Sequence, residues 1–271
     1  MFPAKLHRSC RRVLLGALLA VPLLVQAESI PVRFPEGLSR GFLLVTSRDG
    51  RKIGEGDLQQ VAHDDRVISH LTIRFNDGSL YEDRTVFSQR GVFRLLTDHV
   101  TQSGPSFKTA MDTRIDTSKN DVTVQYADKD GKKKSIHKHI ALPPDIANGM
   151  LFTLVKDLNP HTTGTPVSYL ASTPQPRVVK LVFKREGENQ FSAGGLGTQA
   201  MHYVMSVHIG GIAGILAPII GKGPPDTDVW VIGGMAPSFA RMRGPLSSGG
   251  PVWTIRLVSP ELSQRLSPSA R

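Results

Sequence analysis

Cysteine is nearly absent from this chain: Cys10 is the only one among 271 residues. Disulfides therefore cannot hold the body of the protein together, whatever the redox state of its compartment. Aromatic residues make up only 6% of the chain. No basic stretch interleaves with them as a nucleic-acid surface would require, so nucleic acid is not expected as a partner. An apolar run of the roughly 20 residues needed to cross a bilayer as a helix is also missing. No Gly-x-Ser-x-Gly elbow occurs, and Gly221-Lys222 has no glycine at the upstream distance that a phosphate-cradling loop needs. What remains possible is a protein held by apolar burial.

The start of the chain is patterned. Lys5, Arg8, Arg11 and Arg12 precede an apolar stretch over residues 13–25 that only Pro22 interrupts, and no acid comes before Glu28. Val25-Gln26-Ala27 then places small residues where a signal peptidase cuts. This is the three-zone pattern of an export signal over residues 1–27, with the mature chain beginning at Glu28. Cys10 lies before the apolar stretch rather than in a small-residue lipobox after it, so acylation is not expected. Loss of residues 1–27 takes four positive charges with it, and the formal net charge falls from +10 to +6. The expected location is the periplasm or the exterior.

From Gly41 onward the dominant period is two, broken every 8–12 residues by turn formers. Val67, Ser69, Leu71, Ile73 and Phe75 alternate with Ile68, His70, Thr72 and Arg74, and Asn76-Asp77-Gly78-Ser79 reads as a hairpin turn. Strands are predicted at 80–87, 92–103, 121–127 and 133–142, then at 177–185, 198–209, 228–232 and 251–258. Gly and Pro, at 26 and 19, suit many turns. Short strands joined by tight turns predict an antiparallel meander.

Two segments depart from this period. After Pro143-Pro144, the residues Ile146, Ala147, Met150, Leu151, Leu154, Val155 and Leu158 fall on one face at helical spacing. The reading is a helix over about 145–158, capped by Asp145 and stopped by Asn159-Pro160. The second segment, residues 189–221, contains no Asp, Glu, Lys or Arg, and its end from Ile209 to Gly221 is almost wholly apolar. Gly210, Gly211, Gly214 and Pro218 make it a poor membrane helix. A strand followed by a buried helix or loop is one reading. A lipid- or ligand-touching lid formed by Ile212, Ile215, Leu216, Ile219 and Ile220 is another. These five are the candidate ligand-binding residues.

The remaining motifs are weak. Gly195-x-Gly197-x-x-Ala200 has dinucleotide-fingerprint spacing, but a β-patterned stretch follows it where a helix is needed. His137 and His139 share a strand face, yet Lys134 and Lys138 would repel a cation, so no metal or other cofactor is expected. Asp98-His99 and His63-Asp64-Asp65 contain acid and base types, but neighbours along a strand face opposite ways. Ser106, Ser247 and Ser248 lie in Gly/Pro-rich loops with nothing local to activate them.

Three groups of residues carry a resemblance. They are Val86-Phe-Ser-Gln-Arg-Gly-Val-Phe-Arg94 with Gln102-Ser-Gly-Pro-Ser-Phe107, then Leu142-Pro-Pro-Asp-Ile-Ala-Asn-Gly-Met150, then Lys222-Gly-Pro-Pro-Asp-Thr-Asp-Val-Trp230 with Gly249-Gly-Pro-Val-Trp253. Together they resemble a group of uncharacterised exported bacterial proteins. More loosely, strands wrapped on one helix are similar to the half-barrel of periplasmic lipoprotein carriers. The expectation is a mainly β chain with minor α: one domain over 28–260, a strongly curved antiparallel sheet or half-barrel packed around one amphipathic helix, and a frayed tail over 261–271. Its leading role is binding an apolar or amphipathic envelope molecule on the concave side. A structural protein with a filled core is the alternative, and an envelope hydrolase the third.

Overall fold

The computed structural model describes residues 29–193, 196–208 and 224–258. The expected export signal over 1–27, the expected tail over 261–271 and the five lid candidates fall outside them. Within them the protein is mainly β, with one short helix. The first eight strands are β1 (Ser39–Thr46), β2 (Lys52–His63), β3 (Arg66–Phe75), β4 (Leu80–Ser88), β5 (Arg94–Ser103), β6 (Met111–Asp116), β7 (Asp121–Ala127) and β8 (Lys133–His139). After the helix α1 (Leu151–Asp157) come β9 (Thr165–Ala171), β10 (Arg177–Ala193), β11 (Leu196–His208), β12 (Thr227–Ile232), β13 (Ser238–Pro245) and β14 (Val252–Val258).

All fourteen belong to one antiparallel sheet, in the order β8-β7-β6-β5-β4-β3-β2-β1-β14-β13-β12-β11-β10-β9. It is two meanders joined where the first strand meets the last, with Thr46 opposite Thr254 and Phe42 opposite Val258. The turn chemistry is the one the sequence announces. Between β3 and β4, Gly78 takes φ +85° and the Asp77 carboxylate accepts from the Ser79 amide at 2.9 Å. Alternation puts Leu43 and Val45, Val67, Leu71, Ile73 and Phe75, and Trp253 and Ile255 on one buried face.

The sheet does not close. Its two edges, β8 and β9, are neighbours in the chain, so the connection between them spans the gap. That connection starts beside β7, where the Ile140 and Leu142 amides donate to the carbonyl and side-chain oxygens of Asn120 at 2.9 and 3.0 Å. It then lies along β9. Ile146 bridges Ser168 in parallel, and Asn148 exchanges two hydrogen bonds with the backbone of Leu170 at 2.8 and 3.0 Å. Edge groups that would otherwise attract another chain are thereby occupied.

The helix is shorter than its apolar spacing predicts. Residues 145–150 are not helical, because their polar groups serve β9. Asp145 accepts from the Ser168 amide and hydroxyl at 2.9 and 2.8 Å and from Lys180 at 3.1 Å, so it caps no helix. Gly149 at φ +67° then breaks the run. Ile146, Met150, Leu154, Val155 and Leu158 are buried all the same. Seven residues are too few to hold a helix unaided. Tertiary contacts do it instead: Phe152 stacks on Phe239 with centroids 4.1 Å apart, and Gln60 donates to the Thr153 hydroxyl at 2.8 Å. From the N-terminal side, the Arg33 and Phe34 amides donate to Asp157, and Lys156 pairs with buried Glu36.

Candidate functional site

α1 fills only part of the concave side. Beside it lies a cavity of about 610 Å³. Its apolar wall comes from Leu71 on β3, Val100 on β5, Leu151 and Phe152 on α1, Val179 and Leu181 on β10, Met205 and Val207 on β11, and Met242 on β13. The exposed rim carries Arg177, Pro224, Pro225, Ser248 and Gly249. A smaller polar recess of about 160 Å³ adjoins it, sharing Ser172, Thr173, Ser247 and Ser248 and adding Lys108.

Polar groups enter the buried wall at one place. On β4 the inward positions read Tyr81, Asp83, Thr85, Phe87, opposite Gln102, Val100, Asp98 and Leu95 of β5. A β-bulge between Val86 and Phe87 sets the register there. Gln102 lines both the polar recess and the cavity. Asp83 stands one inward position further along, about 7 Å at strand rise. Asp83 and Asp98 are 7% and 2% exposed, and Asp83 lines the cavity.

The Thr85 hydroxyl joins the two acids, 2.8 Å from Asp83 Oδ1 and 3.0 Å from Asp98 Oδ1. A hydroxyl has one proton, which serves one of these contacts. The other is satisfied when the second carboxyl keeps its own proton and donates it to Thr85 Oγ1. Burial raises the pKa of both acids. Asp98 goes well above the usual carboxylate range, because the Asp83 charge adds to its burial. Asp83 rises less, held back by Asp98, by Thr85 and by His70 and His99 across the strand. Both acids are thus pushed toward their protonated forms, Asp98 further than Asp83, and they titrate as a pair. Asp98 Oδ2 is buried without a hydrogen-bond partner. Tyr81 and Tyr169 have their phenol pKa values raised, first by burial and then by these acids.

Gly149 makes this junction possible. A Cβ there would lie 1.8 Å from Thr85 Oγ1 and 2.6 Å from Asp98 Oδ1, and φ is positive. The connector can press its backbone on the pair only through glycine.

The motifs singled out in the sequence lie apart from this site. Asp98 faces in and His99 faces out, where its Nε2 lies 3.0 Å from Asp112. His137 sits against Asp121 on the exposed edge strand, with His139 two residues along. Gly197 lies inside the strand β11, which runs on through Ala200 to His208 where a dinucleotide fold would place a helix. On the outer face His202 stacks on Trp230 at 4.6 Å, and Arg241 lies 3.7 Å from the ring centroid of Trp230. The Ser206 hydroxyl meets His208 Nε2 at 3.0 Å, and among the described residues no carboxylate bonds that imidazole, so no hydrolytic triad is assembled there. The lid candidates Ile212, Ile215, Leu216, Ile219 and Ile220 lie outside the described residues. Their described flanks, Val207 and Pro224, both line the cavity. Sequence reading missed Asp83 and Thr85, although polar residues at inward positions of a β pattern were a readable signal.

The fold and site define an open, curved antiparallel sheet with an apolar cavity between its face and a helix-bearing connector. Comparison with family models, curated proteins and solved structures finds no match to this chain.

Proposed function

We propose that the protein is an exported envelope protein that binds one apolar or amphipathic molecule in the cavity beside α1. The observation that carries this reading is the cavity itself. Its volume of about 610 Å³ is in the range of small-molecule sites, roughly 300–1,000 Å³. Its wall is apolar, with a few polar groups at fixed places, and its rim is exposed. A protein with a purely filled core would have no reason to keep such a space, since voids cost contacts on every side. The N-terminal pattern supports an envelope location, and the likeness to lipoprotein-carrier half-barrels implies the same mode of binding.

The test is titration with the neutral fluorophore N-phenyl-1-naphthylamine, together with native mass spectrometry of protein taken from the periplasm. Saturable fluorescence gain and a co-purified lipid mass are expected. Met205→Trp, which fills the half-buried wall, is expected to cut the gain at least fivefold with little change in the melt. Fluorescence that stays at the free-dye level, with no co-purified mass, would remove the binding reading.

A further inference from the structure

We propose that the polar recess beside the cavity seats the head of that ligand, and that the head is an oxyanion, a carboxylate or a phosphate, held by Lys108. The inference rests on the cavity reading above and adds the chemical class of what enters.

Three observations carry it. First, the recess and the cavity are continuous but differ in character. They share Gln102, Ser172, Thr173, Ser247, Ser248 and Gly250, so one molecule can occupy both. Its apolar part then lies among Leu71, Val100, Leu181 and Met242. Second, charge is sorted along this path. Lys108 lines the recess and Arg177 the cavity rim, and among the described residues neither pairs with a carboxylate. The one acid lining either space is Asp83, an inward position deeper than Gln102. Asp226, exposed beyond Pro225, lines neither. Third, the recess offers donors that the fold leaves unused. The hydroxyls of Ser172, Ser247 and Ser248 make no hydrogen bond to another described residue, whereas that of Thr173 is committed to the Gln175 carbonyl at 2.8 Å.

The loops β5–β6, β9–β10 and β13–β14 bring these groups together, and the loop that carries Lys108 is anchored. Phe107 is buried, with its ring centroid 5.6 Å from that of Phe75 and 5.9 Å from that of Trp253. The Ser106 amide donates to Ser79 Oγ at 2.8 Å. From this anchor Lys108 reaches across to the β13–β14 loop, where its Nζ lies 3.8 Å from the place a Cβ on Gly249 would take. An ammonium has three donors and a compact charge, which suits an oxyanion. Its bonds to such a head are charge-assisted and stronger than those an alcohol receives. An ammonium head would meet a like charge at the same point.

The experiment displaces N-phenyl-1-naphthylamine from the protein at pH 7 with dodecanoate, dodecyl phosphate, dodecanol and dodecylamine. At least one of the two anions is expected to displace the dye at a concentration about fivefold or more below dodecanol and dodecylamine, and the tighter anion names the head. Lys108→Gln is expected to erase that preference while dye binding and displacement by dodecanol persist. Lys138→Gln removes an equal charge from the exposed edge strand β8 and is expected to change nothing. Equal losses in the two variants would reduce the effect to net charge and overturn the proposal. So would a preference that survives Lys108→Gln and falls only with Arg177→Gln, which would put the head at the rim. Displacement by dodecanol or dodecylamine as tight as by both anions sinks this inference alone. Dye that does not bind sinks it together with the cavity reading.

Discussion

Gly149 and Thr85 are so close that the connector between the sheet edges fits only if residue 149 has no side chain. Gly149→Ala combines a left-handed backbone with a contact that cannot relax without moving Thr85 or Asp98. Each of these costs about 1–3 kcal/mol, so a loss of at least about 2 kcal/mol in urea melts is expected. A near-neutral substitution would show that the connector does not bear on the acid pair.

Asp98 gives the stability a distinctive pH dependence. Its folded-state pKa is raised, so the folded protein keeps a proton that the unfolded chain releases near pH 4. The stability this proton confers is complete below that value and declines as pH rises toward the folded pKa. Asp98→Asn keeps a neutral group of the same shape. Its melting temperature relative to the native protein is expected to climb between pH 4 and pH 8. A difference that stays flat across that range would mean the acid is ionised in the folded state without penalty.

Leu154 is 3% exposed on the inner face of α1. Leu154→Ala is expected to cost about 2–5 kcal/mol. A loss below about 1 kcal/mol would make the helix peripheral to the core.

Asp145 holds the connector to β9 with two hydrogen bonds from Ser168 and to β10 with one from Lys180. Asp145→Ala orphans a buried amide and a buried hydroxyl, at about 1–3 kcal/mol each. Hydrogen exchange at the Ser168 and Leu170 amides is expected to accelerate ahead of the central strands. Uniform acceleration across the sheet would argue against a local anchor.

If residues 1–27 are an export signal, N-terminal sequencing of periplasmic protein reads Glu28 first. Membrane-bound protein with residues 1–27 intact would refute that.

Much of the sheet was legible because period-two alternation and turn residues are local. Met201, Tyr203, Met205 and Val207 mark β11 without reference to any partner strand. The helix boundary was not legible. Asp145 at a helix start and Asp145 bonded to an edge strand look identical until the location of Ser168 is known. The acid pair was hidden for a related reason. Asp83 and Asp98 belong to different strands, and only the register Thr85 opposite Asp98 brings them together. A bulge at Val86 decides that register, and no single-strand pattern reveals it.

Because Thr46 pairs with Thr254, the middle of the sheet is made from the two ends of the described chain. During synthesis, β1 waits as an unpaired edge until β14 arrives. Its backbone groups are meanwhile available to any other extended chain. Contacts of such long sequence separation also slow folding. A protein built this way gains from staying unfolded and escorted until its last strand is available. Substitutions in β14 such as Ile255→Asp are then expected to show first as aggregation of nascent material.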